Sequence, residues 1–138
     1  MYEYTPRMVF NDKARKETGR IGESIAAQFL ERKGFIILER NYRQVWGEID
    51  IVALKHGVVR FVEVKTLSRE NTSDISREMG DYRPEEQVHQ HKLRKIARTA
   101  ELYMNSKKDD RDFQIDVVGV LLDKQTRRAH CRLYEQVL

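Results

Sequence analysis

The segment GEIDIVALKHGVVRFVEVKT, from Gly47 to Thr66, constrains the fold of this chain more than any other. Two apolar runs rich in Ile and Val flank His56-Gly57, and β-branched residues at that density suit a pleated surface. Glycine accepts positive φ, so His56-Gly57 reads as a two-residue hairpin turn. With Lys55 opposite Val58, Leu54 meets Val59, Val52 meets Phe61, Asp50 meets Glu63 and Glu48 meets Lys65. From Leu54 back to Glu48 these pairs project from one face, because side chains alternate with period two. Directly opposed Cβ atoms lie roughly 4.5–5.5 Å apart. The register thus gathers three carboxylates (Glu48, Asp50, Glu63) and the Lys65 ammonium at the open end of the hairpin.

Charges among apolar neighbours are costly unless they are paired or bind something. Two acids side by side repel, and one tends to keep its proton. A divalent cation relieves that repulsion. Carboxylate oxygens, a backbone carbonyl and waters form the hard-oxygen site that Mg²⁺ or Mn²⁺ prefers. A lysine beside it can stabilise a phosphorane-like charge, or orient and help deprotonate an attacking water. These are the parts that hydrolysis of a phosphodiester requires. The pattern leaves a second reading open: a salt ladder from Glu48 to Lys65, with Asp50 and Glu63 opening to water.

The remaining elements follow from period and punctuation. Ile21, Ile25, Ala26, Phe29 and Leu30 have helical spacing, and Gly34 stands where a C-cap belongs, which predicts a first helix over 19–33. Residues 1–17 are polar and read as a loose arm. Strands are expected at Phe35–Tyr42, Ile49–Leu54, Val58–Thr66, Phe113–Leu122 and Ala129–Val137. Between the third and fourth, residues 67–87 are charged and aperiodic, and read as a flexible loop. Pro84 and Glu85-Glu86 then open a second helix, whose buried face is Val88, Leu93, Ile96, Ala97, Ala100 and Tyr103 or Met104. The order αβββαββ makes the second helix a right-handed crossover to a parallel fourth strand. Strands two to four are apolar on both faces, so helices should cover the sheet on both sides.

A length of 138 residues suits a single domain, 1–138. A net charge of +4 allows a polyanionic partner without demanding one. Cys131 is the only cysteine, which excludes an intrachain disulfide and a thiolate zinc cluster and fits a reducing compartment. The first residues have no apolar core of a signal peptide, and no stretch reaches the ~18–20 apolar residues of a membrane span. A cytoplasmic protein with no membrane partner is the expectation.

The hairpin charges resemble the PD-(D/E)xK nuclease superfamily, whose signature is an acid on strand two and (D/E)-x-K on strand three. More closely, GRIGESIAAQFLERKGFIILERNYR, GEIDIVA, FVEVKT, HKLRKIARTAELYM and IDVVGV resemble the YraN-type bacterial proteins, related to archaeal Holliday junction resolvases. These pieces span about residues 19 to 120, in the family's order. The resemblance implies a restriction-endonuclease-like three-layer α/β/α fold with a mixed five-stranded sheet. It implies Asp50 and Glu63 as metal ligands, the Val64 carbonyl as a third, and Lys65 as the catalytic lysine. Glu23 would match the first-helix glutamate that completes the metal site, and Glu48 would pair with Lys65 or support the ligands from behind. Mg²⁺ or Mn²⁺ would be the cofactor, DNA the partner, and a homodimer the assembly. Where relatives often carry an arginine after EVKT, this chain has Leu67, and 68–87 has no clear match.

Other candidates are weaker. Lys92, Arg94, Lys95 and Arg98 on the second helix could contact phosphates, or could simply be a solvated face. Trp46 could stack on a base or pack at the sheet edge. Asp116 reads as a satisfied core acid, and His89 and His91 as surface residues. The expected function is a metal-dependent DNA endonuclease for branched or repair-related DNA. A non-catalytic nucleic-acid-binding module with the same fold is the alternative, and an adaptor whose acids are only a salt network is a third.

Overall fold

A computed structural model describes residues 15–69 and 90–138. The described elements are α1 (Arg15–Arg32), β1 (Ile36–Gln44), β2 (Gly47–Lys55), β3 (Val58–Arg69), α2 (Gln90–Ser106), β4 (Phe113–Asp123) and β5 (Arg128–Tyr134). The strands form one mixed sheet in the order β1-β2-β3-β4-β5. Only β3 and β4 run parallel. The α/β order and the parallel fourth strand agree with the expectation drawn from patterning.

Each helix covers one face. Ile25, Ala26, Phe29 and Leu30 of α1 pack with Ile51, Ala53, Val62, Val118, Val120 and Leu122. Leu93, Ile96, Ala100, Tyr103 and Met104 of α2 pack with Val52, Val59, Phe61, Ile115 and Val117 on the other side. Alternate residues of β2, β3 and β4 therefore feed opposite cores, which is why these strands read as continuously apolar. Thr99 of α2 is also buried, whereas the expected Ala97 is only half-buried.

Local signals set the ends. At Gly34 (φ 92) α1 closes with Phe35 N–H donating to Leu30 O and Gly34 N–H to Glu31 O, both at 3.0 Å. This is the paired C-cap that a left-handed residue permits. His56 (φ 53) and Gly57 (φ 74) both lie in the left-handed region, as a primed two-residue turn requires, with Lys55 opposite Val58.

Among the described residues three boundaries move by three residues or more, one of them the end of β5, which stops at Tyr134 and not at Val137. Helix α1 already runs at Arg15, so the polar residues at 15–17 are not an arm; Glu17 and Arg20 pair one turn apart, and a charged turn carries no apolar stripe. Residues 1–14 lie outside the described part. β3 continues to Arg69 because β4 is long enough to pair Leu67 with Leu121, Ser68 with Leu122 and Arg69 with Asp123. The rest of the expected 67–87 loop, and the Pro84 to His89 opening of the second helix, fall outside the described residues. None of the described helices is long and apolar enough to cross a membrane.

Candidate functional site

The backbone turns over where the acids meet. On β2, Ile49 packs in the α2 core but Ile51 in the α1 core, although residues two apart in a regular strand share a face. Opposite, Arg40 reaches Ser24 of α1 at 3.1 Å while Tyr42 packs in the α2 core. Between them Asn41 takes φ 53, a conformation asparagine tolerates better than most residues. The β1–β2 register places Asn41 across from Asp50, so both strands reverse faces at this one pair.

At the same point β2 and β3 part. Their ladder runs from Lys55–Val58 to Ile51–Val62 and ends there. In the gap, Val64 N–H donates to the Asp50 carboxylate at 2.8 Å. A residue whose amide faces one edge of a strand presents its carbonyl to the same edge, so the Val64 carbonyl also faces this gap. Asp50 shares a hydrogen bond with Glu63. The hairpin register therefore brings Asp50 and Glu63 together, as the sequence implied.

Glu63 is only 6% exposed and meets two ammonium groups, Lys92 Nζ at 2.9 Å and Lys65 Nζ at 3.6 Å. Lys92 comes from the first turns of α2. Burial works to lower its pKa, but the hydrogen bond to Glu63 and the surrounding carboxylates outweigh it, and the pKa rises. Burial, reinforced by the Glu63 charge and resisted by the Val64 amide, pushes the Asp50 carboxyl up to about 8. Asp50 thus keeps a proton at neutral pH even with two ammonium groups beside Glu63.

Glu23 lies on α1 and lines a cleft with Arg20, Asn41 and Arg43. Its pKa is raised by burial, opposed by Arg40 and Arg43, and raised further by Glu63 and Glu48. It feels the acidic pair through charge. Among the described residues, no group of three His, Cys, Asp or Glu side chains is gathered as a metal cage. Glu48 does not face Lys65: it pairs with Arg43, its neighbour on β1, at 3.8 Å and is exposed. The reversal at Asp50 carries Glu48 out of the register that the turn alone would impose.

The helix α2 cations divide. Lys92 joins the acids, Lys95 borders a cleft beside Trp46, Arg94 is exposed, and Arg98 pairs with Glu101 at 3.6 Å. The sequence pattern groups Lys92 with phosphate contacts, whereas its reach to Glu63 depends on how α2 crosses the sheet. Asp116 is fully buried and satisfied by Arg60 at 3.1 Å, Gln114 Nε2 and the Gln136 amide at 2.8 Å, in keeping with a structural acid.

Residues 22–120 match the model of the family described as "Uncharacterised protein family UPF0102". The chain belongs to the UPF0102 family. A UPF0102 protein of Dictyoglomus thermophilum is 38% identical over 110 residues, covering 79% of this chain and 86% of its own length. One from Campylobacter fetus subsp. fetus is 39% identical over 103 residues, 75% of this chain and 82% of its own. A Campylobacter hominis member is 35% identical over 102 residues, covering 74% and 81%. The UPF0102 match runs from the middle of α1 through most of β4 and so contains Glu23, Asp50, Glu63, Lys65 and Lys92.

Proposed function

We propose that the chain is a metal-dependent phosphodiesterase acting on DNA. The observation that carries this reading is the carboxyl pair Asp50–Glu63 in the gap between β2 and β3, with one backbone amide and two lysines converging on it. A buried Glu63 and a partly buried Asp50 that keeps its proton at neutral pH, beside a Val64 carbonyl that faces the same gap, are a donor set suited to Mg²⁺ or Mn²⁺. Asp50, Glu63 and the Val64 carbonyl would hold the ion, and Glu23 would add charge from α1. A bound cation would supply Lewis acidity and lower the pKa of a nearby water.

Lys65 would orient the attacking water and balance charge that grows on the phosphorus oxygens, a role supported by its ammonium lying 3.6 Å from Glu63. Lys92 holds Glu63 in position and offers its ammonium to a substrate phosphate. In the hydrolysis, a water oxygen bonds to phosphorus and one P–O ester bond breaks, leaving a phosphate monoester and an alcohol that takes up a proton. The resemblance to PD-(D/E)xK nucleases, in the same Asp50…Glu63-x-Lys65 frame, supports DNA as the substrate.

The contact of Lys92 with Glu63 at 2.9 Å favours a second reading: an ammonium fills the place of a cation, and the fold binds DNA without cutting it. Incubation with linear, nicked and four-way DNA in Mg²⁺ or Mn²⁺ separates the two. Cleavage by the wild type, lost in Asp50→Ala and Lys65→Ala, is expected. Cleavage that survives in both variants refutes the assigned site, and metal-independent binding without cleavage establishes the module.

A further inference from the structure

The turn between β1 and β2 is Val45-Trp46, closed by Gln44 opposite Gly47. Both side chains stand out from the surface: Val45 is fully exposed and Trp46 is 44% exposed. The turn is nevertheless firmly mounted. Gly47 approaches α2 so closely that a Cβ there would collide with the Thr99 hydroxyl, and Thr99 Oγ1 lies 3.4 Å from the Trp46 carbonyl.

Between this turn and α2 lies a cleft of about 390 Å³, with Trp46 on one wall and Lys92 and Lys95 on the other. Lys92 spans from the cleft to Glu63, so the cleft adjoins the acidic pair. An aromatic face with ammonium groups across a small gap is the pairing that recognises a nucleotide: any base stacks on the ring, and its phosphate finds a cation.

We propose that this cleft is a subsite for one unpaired nucleotide, its base stacked on Trp46 and its phosphate held by Lys95. The next phosphodiester along the strand then faces Lys92 and Glu63. For what that nucleotide is delivered to, the subsite rests on the phosphodiesterase reading above. In a duplex the base faces are covered by their neighbours, so only a single strand, gap, flap or splayed junction supplies a free face. The subsite therefore selects nucleic acid with an unpaired nucleotide beside the bond to be cut.

Trp46 is the only tryptophan of the chain, so its fluorescence reports the stack directly. In EDTA, a short single-stranded thymidine oligonucleotide should quench this emission, and a blunt duplex should not. Trp46→Ala and Lys95→Ala should each weaken binding of the labelled single strand about tenfold by anisotropy, while Trp46→Phe retains it. Melting curves check that each variant is folded. Deoxy- and ribo-oligonucleotides of one sequence identify the sugar, and quenching by either meets the proposal.

Unchanged single-strand affinity in folded Trp46→Ala, or equal quenching by duplex, overturns the subsite. The two readings fail separately. Quenching by single strands with no cleavage of any DNA removes the phosphodiesterase and leaves the subsite. Cleavage of gapped DNA with no quenching and no dependence on Trp46 removes the subsite alone.

Discussion

Replacing Asp50 with asparagine removes the charge that burial and Glu63 oppose, yet leaves an oxygen for the Val64 amide. In the folded chain the Asp50 carboxyl holds its proton up to about pH 8, whereas in the unfolded chain it titrates near its ordinary 3.8. The folded state binds more protons across that window, so this group makes stability fall as pH rises from 3.8 to about 8 and level off above. At ~1.36 kcal/mol per pH unit the interval corresponds to a ceiling of roughly 5–6 kcal/mol. Partial access to solvent and relaxation around the ionised group reduce the expected cost to roughly 2–3 kcal/mol.

Asp50→Asn should therefore melt about 6–12 °C above the wild type at roughly pH 9 in EDTA. The difference should shrink to about 1 kcal/mol near pH 5 and vanish below the ordinary carboxylate range. Thermal denaturation followed by circular dichroism at three pH values reads this directly. Added Mn²⁺ should raise the wild-type midpoint in alkaline buffer, because a cation replaces the Asp50 proton, and leave the variant unmoved. A variant that melts below the wild type at alkaline pH would refute the reasoning and make Asp50 a structural acceptor.

Asn41→Val should destabilise the fold by about 1–2 kcal/mol, since a β-branched residue resists the left-handed conformation, while Asn41→Gly should retain it. The valine variant should also lose the Mn²⁺ response in the same melts, because Asn41 is where β1 and β2 reverse faces at Asp50. Gly22→Ala places a methyl group against the side chain of Thr66 on β3 and should cost about 1–3 kcal/mol in urea denaturation. Adding Thr66→Ala should restore only part of that loss, because it removes the Thr66 hydroxyl and methyl but leaves its Cβ 2.9 Å from the new methyl group. Arg60→Met strands the fully buried Asp116 and frees Glu135, so a loss of about 3–5 kcal/mol is expected by the same measurement.

Much of this arrangement was legible along the chain because it depends on short-range chemistry. Left-handed φ at His56-Gly57 and at Gly34 marked a hairpin and a helix end, and both occur there. Period-two and helical spacing marked the strands and helices, and the hairpin register brought Asp50 to Glu63. The start of α1 is not legible because a charged helical turn carries no apolar period. Thr99 was missed because its burial answers Gly47 on another element.

The chain's own periods and turn residues settle which residues are strand or helix, and that the acids share one end of a hairpin. Packing decides what surrounds them. The reversal at Asn41 and Asp50 sends Glu48 to Arg43, and the crossing of α2 brings Lys92 to Glu63 and raises a wall opposite Trp46. Sequence spacing encodes alternation within an element, but distances between elements depend on how two helices seat on opposite faces of one twisted sheet.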